Sequence, residues 1–372
     1  MTGPPIAVDL DRLSAELDEL AGISDAEPPA VTRVLYTDAD LRARRFIRER
    51  CAAAGLAVRE DAVGNLFARW DGADPSLPAV GTGSHTDAIP HAGRYDGTVG
   101  VLGGLEAIRA LRAAGVRPRR SIELLMFTSE EPTRFGVGCV GSRALAGSLG
   151  PDALARLTDA DGQTLDELRR RAGFGGSLGD VRLPRDHYAA FVELHIEQGP
   201  ILEREGVPIG VVTAIAAPAA LRVRLEGEGG HAGAVLMPER HAALCAAAAV
   251  VLAVEAAARA TGSPDTVATT GVCQVHPGAI NSIPSRVTLA IDVRDVALGP
   301  RDRAVRAVRE AVAEVAGRRG VRAEVELLNA DPPAAMAGPV VAAVESACGR
   351  LGLGCQRMVS RAYHDSLFMA QV

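Results

Sequence analysis

Three apolar runs in the first 200 residues each end in acids, imidazoles or amides, and this repeated pattern limits the fold more than any other feature. Ala79 to Ser84 runs into His85-Thr86-Asp87, and Ile122 to Thr128 into Ser129-Glu130-Glu131. Tyr188 to His195 closes in His195-Ile196-Glu197-Gln198. Each run has the length of a buried strand. Between the first two, residues 97–114 carry Val101, Leu105, Ile108 and Leu111 at helical spacing, closed by Gly115. Leu10 to Leu20 and Leu41 to Ala54 read as further helices. Strand and helix therefore alternate, and open α/β sheets place ligands at the carboxyl ends of their strands.

From about Gly210 to Leu328 the texture changes. Leu221, Val223 and Leu225 alternate with Arg222, Arg224 and Glu226, the signature of a half-buried strand. An Ala-rich helix is expected from Glu239 to about Ala260, then strands at Val267 to Val275 and Arg286 to Arg294. A helix from Pro300 to Val315, with Val305, Val308, Val312 and Val315 on one side, precedes a last strand at Val321 to Leu327. Strand-helix-strand-strand-helix-strand is the ferredoxin-like order. Its alternation leaves one sheet face open or paired with another subunit. This βαββαβ unit reads as a second domain inserted into an α/β chain, and Pro339 to Leu351 as a helix returning to the first. The boundaries are 1–209, 210–328 and 329–372.

Composition excludes several functions. The 40 basic residues, all Arg, against 46 acidic ones leave a net charge of −6 without a basic tract, so nucleic acid is not an expected partner. Hydrophobic residues at 48% against 23% charged give enough core to exclude a disordered chain. The longest uncharged apolar run, the 13 residues from Ala242 to Val254, is shorter than the roughly 20 a bilayer needs. MTGPPIAVDLDRLSAELDEL lacks the basic and apolar regions of a secretory signal. The six cysteines show no CxxC spacing, so core thiols are expected. A cytoplasmic protein without a membrane partner follows from these readings.

The strand-end clusters suit a metal. Two imidazoles with several carboxylates match borderline or hard divalent ions such as Zn²⁺ or Mn²⁺. Two ions sharing a carboxylate bridge would together activate one water, and a free carboxylate beside them could serve as general base. Each motif has a bland alternative: a strand-end cap for Asp87, a solvated turn for Glu130-Glu131.

These residues carry a resemblance. GSHTDAIPHAGRYDGTVGV, FTSEEPTRFGVGCVGS, ELHIEQGPILE, GEGGHAGAVLMPER, HPGAINSIPS, IDVRD and SRAYHDS resemble the M20 metallopeptidase-related amidohydrolases, in the hydantoinase and carbamoylase branch. The match runs from about residue 10 to the end, and TAIAAPA, HAGAVLMPER and SRAYHDSLFMA look most like the ureidoglycolate-cleaving members. The resemblance implies a central mixed-sheet catalytic domain with helices on both faces, plus an inserted ferredoxin-like lid and dimerisation domain. It implies one metal on His85, Asp96 and His195 and a second on Asp96 and Glu131, with Mn²⁺ favoured and Zn²⁺ or Co²⁺ the alternatives. Glu130 would be the general base, and Asp87 would orient His85 through its imidazole N–H.

In the inserted domain the resemblance gives His231 a place in the partner subunit's active site, polarising the scissile carbonyl of a homodimer. Alternation puts Asp292 and Arg294 on one strand face, and an Arg fork matches a carboxylate. Arg294 with Asn281 is thus the expected clamp for a substrate carboxylate; an ion pair with Asp292 or Asp295 is the other use of that fork. Tyr363, His364 and Gln198 are expected substrate contacts, with Asp365 holding the His364 tautomer. His91, His187, His241 and His276 read as structural or surface groups.

The implied reaction is hydrolysis of a ureido or carbamoyl C–N bond in a small carboxylate, ureidoglycolate before N-carbamoyl amino acids or allantoate. The resemblance also implies a further His after the HDS motif to complete the second metal site. No His follows His364 and six residues follow Ser366, so truncation is the expectation. A dimeric binding protein lacking the full metal pair is the alternative of another class.

Overall fold

The structure, a computed structural model, describes residues 6–372, so the first five residues of the expected 1–209 segment lie outside the described residues. The chain forms two compact units, Met1–Gly206 with His364–Val372, and Val207–Tyr363.

The first unit contains α1 (Leu10–Ala21), β1 (Val31–Arg33), α2 (Asp38–Ala53), β2 (Ala57–Glu60), β3 (Leu66–Trp70), β4 (Ala79–His85), β5 (Ala88–Ala92), α3 (Thr98–Ala113), β6 (Ile122–Phe127) and β7 (Tyr188–Val192). Its mixed sheet runs β2-β3-β6-β4-β7, antiparallel from β2 to β6 and parallel from β6 through β4 to β7. The continuous apolar character of β6 has a simple cause. Leu124 and Met126 enter one core with Leu20, Ile47, Val101 and Leu105, whereas Leu125 and Phe127 enter another with Phe67, Leu145 and Tyr188. A strand covered on both faces has no reason to alternate. Asp9 caps α1 and Thr37 caps α2 through their side chains, which sets both helix starts. β1 pairs with β5 as a separate two-stranded ribbon beside the His85 strand end.

The second unit begins with β8 (Ile209–Ile215) and β9 (Ala217–Glu226), followed by β10 (Gly230–His231), α4 (Ala243–Arg259), β11 (Val267–His276), β12 (Ser282–Ile283) and β13 (Arg286–Asp295). It ends with α5 (Leu298–Arg319), β14 (Arg322–Ala330), β15 (Ala334–Ala335), α6 (Gly338–Leu351) and β16 (Cys355–Ser360). β11-β13-β9-β14 form an antiparallel sheet in that order. Leu221, Val223 and Leu225, with Val287, Leu289, Ile291 and Val293, bury beneath α4 and α5 against Val250, Val254, Val308 and Val312. Arg222 and Arg224 project from the opposite face and pair with Glu326 and Glu324. β8 pairs in parallel with β16 and antiparallel with β15, and the helix read at Pro339 to Leu351 packs on β8 as α6.

Several element bounds differ from the sequence reading, among them the helices at Asp38–Ala53 and Leu298–Arg319, and two of the differences have a clear cause. The Ala-rich helix begins at Ala243 rather than Glu239. Arg240 donates to the carbonyls of Ala232 and Val235, and the Ala243 amide to Pro284, which holds 240–242 out of the helix. The β7 strand stops at Val192, three residues before His195, because Glu193 turns to accept bonds from Ser84 and Ser366. All six cysteines are free thiols, with Cys51, Cys139 and Cys348 buried. Among the described residues no helix is long and apolar enough to cross a membrane.

Candidate active site

In the first unit the three strand ends deliver their polar groups to one place. His85, Asp96 and His195 each offer a ligand atom, all within 4.8 Å of one another. Both imidazoles are oriented alike. His85 Nδ1 bonds the carbonyl of Asp87 at 3.0 Å and His195 Nδ1 that of Ile196 at 2.9 Å. Their Nε2 atoms face the same carboxylate oxygen, Asp96 Oδ1, at 3.8 Å and 3.2 Å. The His364 ring lies 4.1 Å from that of His195.

Asp87, expected to orient His85 through the imidazole N–H, meets that ring through its main chain and has a second set of partners. His85 bonds its main-chain carbonyl, and the Asp87 carboxylate stands 3.6 Å from Nδ1. That carboxylate instead accepts the amide of Glu130 at 3.2 Å and of Glu131 at 3.0 Å. One residue thereby ties the β4 end to the β6 end. The Glu130 backbone is held again from the far side, where the amides of Cys139, Val140 and Gly141 donate to the carbonyls of Glu130, Ser129 and Thr128. The Cys139 thiol sits 3.6 Å from Glu130 Oε1, and Oε2 faces His85 Nε2 at 3.8 Å.

Electrostatics at this place call for positive charge. Burial pushes the Glu130 carboxyl well above the usual range; His85 opposes, while Asp365, Glu131 and Asp87 add to it. Burial also raises Glu131, to about 7. Burial acts to lower His85, yet Asp87, Glu130 and Asp365 outweigh it and hold the imidazole well above its ordinary value. At Asp96 burial is overcome by His195, His85 and Gln198, and the carboxyl titrates low.

The donor set fits a divalent cation. His85 Nε2 is buried without a hydrogen-bond partner, and it faces two carboxylates at distances too long for hydrogen bonds. Gly97 keeps the space beside it open: its φ is +66°, and a Cβ there would lie 2.5 Å from His85 Nε2. Glu131, expected on a second ion, stands outside the trio of His85, Asp96 and His195.

Gln198, expected to contact substrate, donates to Asp96 Oδ2 at 2.8 Å from a left-handed backbone of φ 54°. Asp365, expected behind His364, accepts from the Ser142 hydroxyl, and its other oxygen is buried without a partner. The role of Ser142 had no signal in the sequence beyond its place in the FTSEEPTRFGVGCVGS stretch.

The second unit brings its candidates together in pairs. His231 on β10 faces Ser282 on β12, and the Ala232 amide donates to the Asn281 carbonyl at 2.9 Å, so His231 and Asn281 share one exposed ribbon. His231 Nδ1 accepts the Gly233 amide at 3.1 Å. Arg294 presents its fork to Asp292 at 2.7 Å and 3.2 Å and donates to the Arg361 carbonyl. It also stacks 5.2 Å from the Tyr363 ring centroid.

Comparison with known proteins adds the chemistry of relatives. Residues 81–372 match the model of peptidase family M20/M25/M40. The chain is 52% identical to ureidoglycolate hydrolase of Arabidopsis thaliana over 374 residues, covering 99% of this chain and 79% of that protein. It is 38% identical to an N-carbamoyl-L-amino acid amidohydrolase of Geobacillus stearothermophilus, over 97% of this chain and 88% of that protein. The crystal structure of AtUAH in complex with glyoxylate superposes with a TM-score of 0.92 at 51% identity, over 98% of this chain and 88% of that one.

Proposed function

The chain belongs to peptidase family M20/M25/M40, and from that premise we propose that it is a metal-dependent amidohydrolase that cleaves (S)-ureidoglycolate. One water is consumed, and glyoxylate, two ammonia molecules and carbon dioxide are released. The observation that carries the chemistry is the trio His85, Asp96 and His195 beside the buried Glu130. The choice of substrate rests on identity: 52% and 53% to two ureidoglycolate hydrolases, against 38% or less to the carbamoylases and 31% to an allantoate amidohydrolase.

In this reading His85, Asp96 and His195 hold one divalent ion, and Asp96 with Glu131 a second. Manganese is favoured, with zinc or cobalt as alternatives. Such ions, when bound, polarise the scissile carbonyl and lower the pKa of water towards neutrality. Glu130 accepts a proton from the attacking water and returns it to the nitrogen that leaves when the C–N bond breaks. Asp87 keeps the Glu130 and Glu131 amides in place, and Gln198 fixes the rotamer of Asp96. His231 donates to the developing oxyanion, in the site of the partner copy of a homodimer. Arg294 exchanges Asp292 for the substrate carboxylate, assisted by Asn281, while Tyr363 and His364 line the substrate.

We read residues 1–209 and 329–372 as the catalytic domain and 210–328 as an inserted ferredoxin-like lid and dimerisation domain. The strand order β11-β13-β9-β14 and the closed aliphatic core beneath it support the inserted part.

The test is a substrate panel on the manganese-loaded protein. Ureidoglycolate should exceed allantoate and N-carbamoyl-L-amino acids at least tenfold in kcat/KM. A faster N-carbamoyl amino acid would make this chain a carbamoylase on the same scaffold.

A further inference from the structure

Arg33 lies outside every motif that pointed to the site, yet it is among the largest fully buried side chains, 1% exposed. Its guanidinium donates only to main-chain carbonyls: Nε to Thr86 at 2.7 Å, and Nη1 to Leu20 and Ile23 at 2.9 Å each. Burial lowers its pKa to about 10, with Asp40 and Asp87 opposing, so it remains a cation. Withdrawing a guanidinium from water without an adjacent carboxylate is costly, and one that only filled space would be replaced by an apolar side chain without loss.

The partner it holds gives the reason for its presence. Thr86 joins His85 to Asp87, and its carbonyl belongs to the peptide that leads into Asp87. Fixing that peptide fixes Asp87, whose carbonyl takes the His85 imidazole and whose carboxylate takes the Glu130 and Glu131 amides. β1 delivers Arg33 to this position through its pairing with β5, Arg33 opposite Ala88. The guanidinium also lies within electrostatic reach of Asp40 and Asp87.

We propose that Arg33 is a positioning residue of the metal site, latching the Thr86 carbonyl so that His85, Glu130 and Glu131 are aligned before a cation binds. The inference rests on the reading of His85, Asp96 and His195 as metal ligands. Residues that orient ligands in this way typically change metal affinity by about 10–100-fold when removed.

The test is calorimetric titration of Mn²⁺ into metal-free full-length protein, with Tm recorded for each variant. Arg33→Met should weaken binding about 10–100-fold. Arg33→Lys keeps the charge and a bond to Thr86 but loses the fork, and it should recover part of the affinity. Arg169→Met is the control for the loss of a buried arginine. Arg169 is 2% exposed and donates to the carbonyls of Ala62, Phe174 and Gly176 and to the Asp166 carboxylate, none of them a candidate site residue. It should lower Tm comparably and leave Mn²⁺ affinity at the wild-type value. Wild-type affinity in Arg33→Met, or equal losses in both Met variants, would overturn the latch. Should Arg33→Met fail to fold, Arg33→Lys decides: a loss of affinity supports the latch, and an unchanged affinity overturns it. Failure of the wild-type protein to bind Mn²⁺ would instead overturn the metal site itself.

Discussion

The two units treat charge differently. In the first, charged groups go inside: Asp40, Arg44, His85, Asp87, Glu130 and Asp365 are all buried, each tied to a neighbour by hydrogen bonds or short ion-pair distances. In the second, the core is aliphatic, the buried charges Asp295 and Arg301 stand outside that core, and the candidates His231 and Asn281 lie exposed on a short ribbon. A buried polar network resists rearrangement because any unpaired member is penalised. An exposed side chain is free to move and is organised by what binds it. Under the proposed function, the first unit would hold reacting groups in advance and the second would offer groups that a ligand or partner brings into register.

That contrast can be broken at graded cost. The largest effect is expected from Glu130→Gln, which keeps the shape but removes the base. Steady-state ammonia release should fall by about 10²–10⁴-fold while manganese content per chain is unchanged. Near-wild-type turnover would remove Glu130 from its role. Next is stability: Arg44→Met leaves Asp40 as an unpaired buried carboxylate and should cost about 3–5 kcal/mol in urea unfolding. Its counterpart in the second unit, Glu326→Gln, removes an exposed pair with Arg222 and should cost less than about 1 kcal/mol. Comparable losses would erase the distinction between the units.

His231→Ala should lower kcat by about 10²–10³-fold with Tm and metal content unchanged, as expected of an exposed donor that acts only in the transition state. A change in Tm would place it among the structural groups. The smallest effect on catalysis is expected from Arg294→Lys. It keeps the charge but loses the planar fork, so KM for ureidoglycolate should rise about tenfold with kcat nearly constant.

The sequence made the first unit's candidate site legible because His85 and Glu130 sit at or just past strand ends, where an apolar run stops and polar letters follow. It also made the second unit's sheet legible: the alternation of β9 and β13 sorts Leu221 and Val287 from Arg222 and Thr288. What it concealed are links made by tertiary structure. That the Asp87 carboxylate serves Glu130 and Glu131 more than His85 depends on β4 and β6 lying side by side in parallel. Gln198 reaches Asp96 across 102 positions of sequence, and Arg33 reaches Thr86 across 53. No local pattern encodes a bond to a main-chain carbonyl. The start of α4 was misplaced for a similar reason, since Arg240 spends its donors on a preceding loop although its neighbours favour helix.

The central claim is that the first unit is a metal-dependent hydrolytic site. It is tested most directly by following ammonia release from ureidoglycolate as Mn²⁺ is titrated into metal-free protein. Turnover should be absent without the ion and should rise in step with occupancy. Full occupancy without ammonia, or release that is indifferent to the ion, would contradict it.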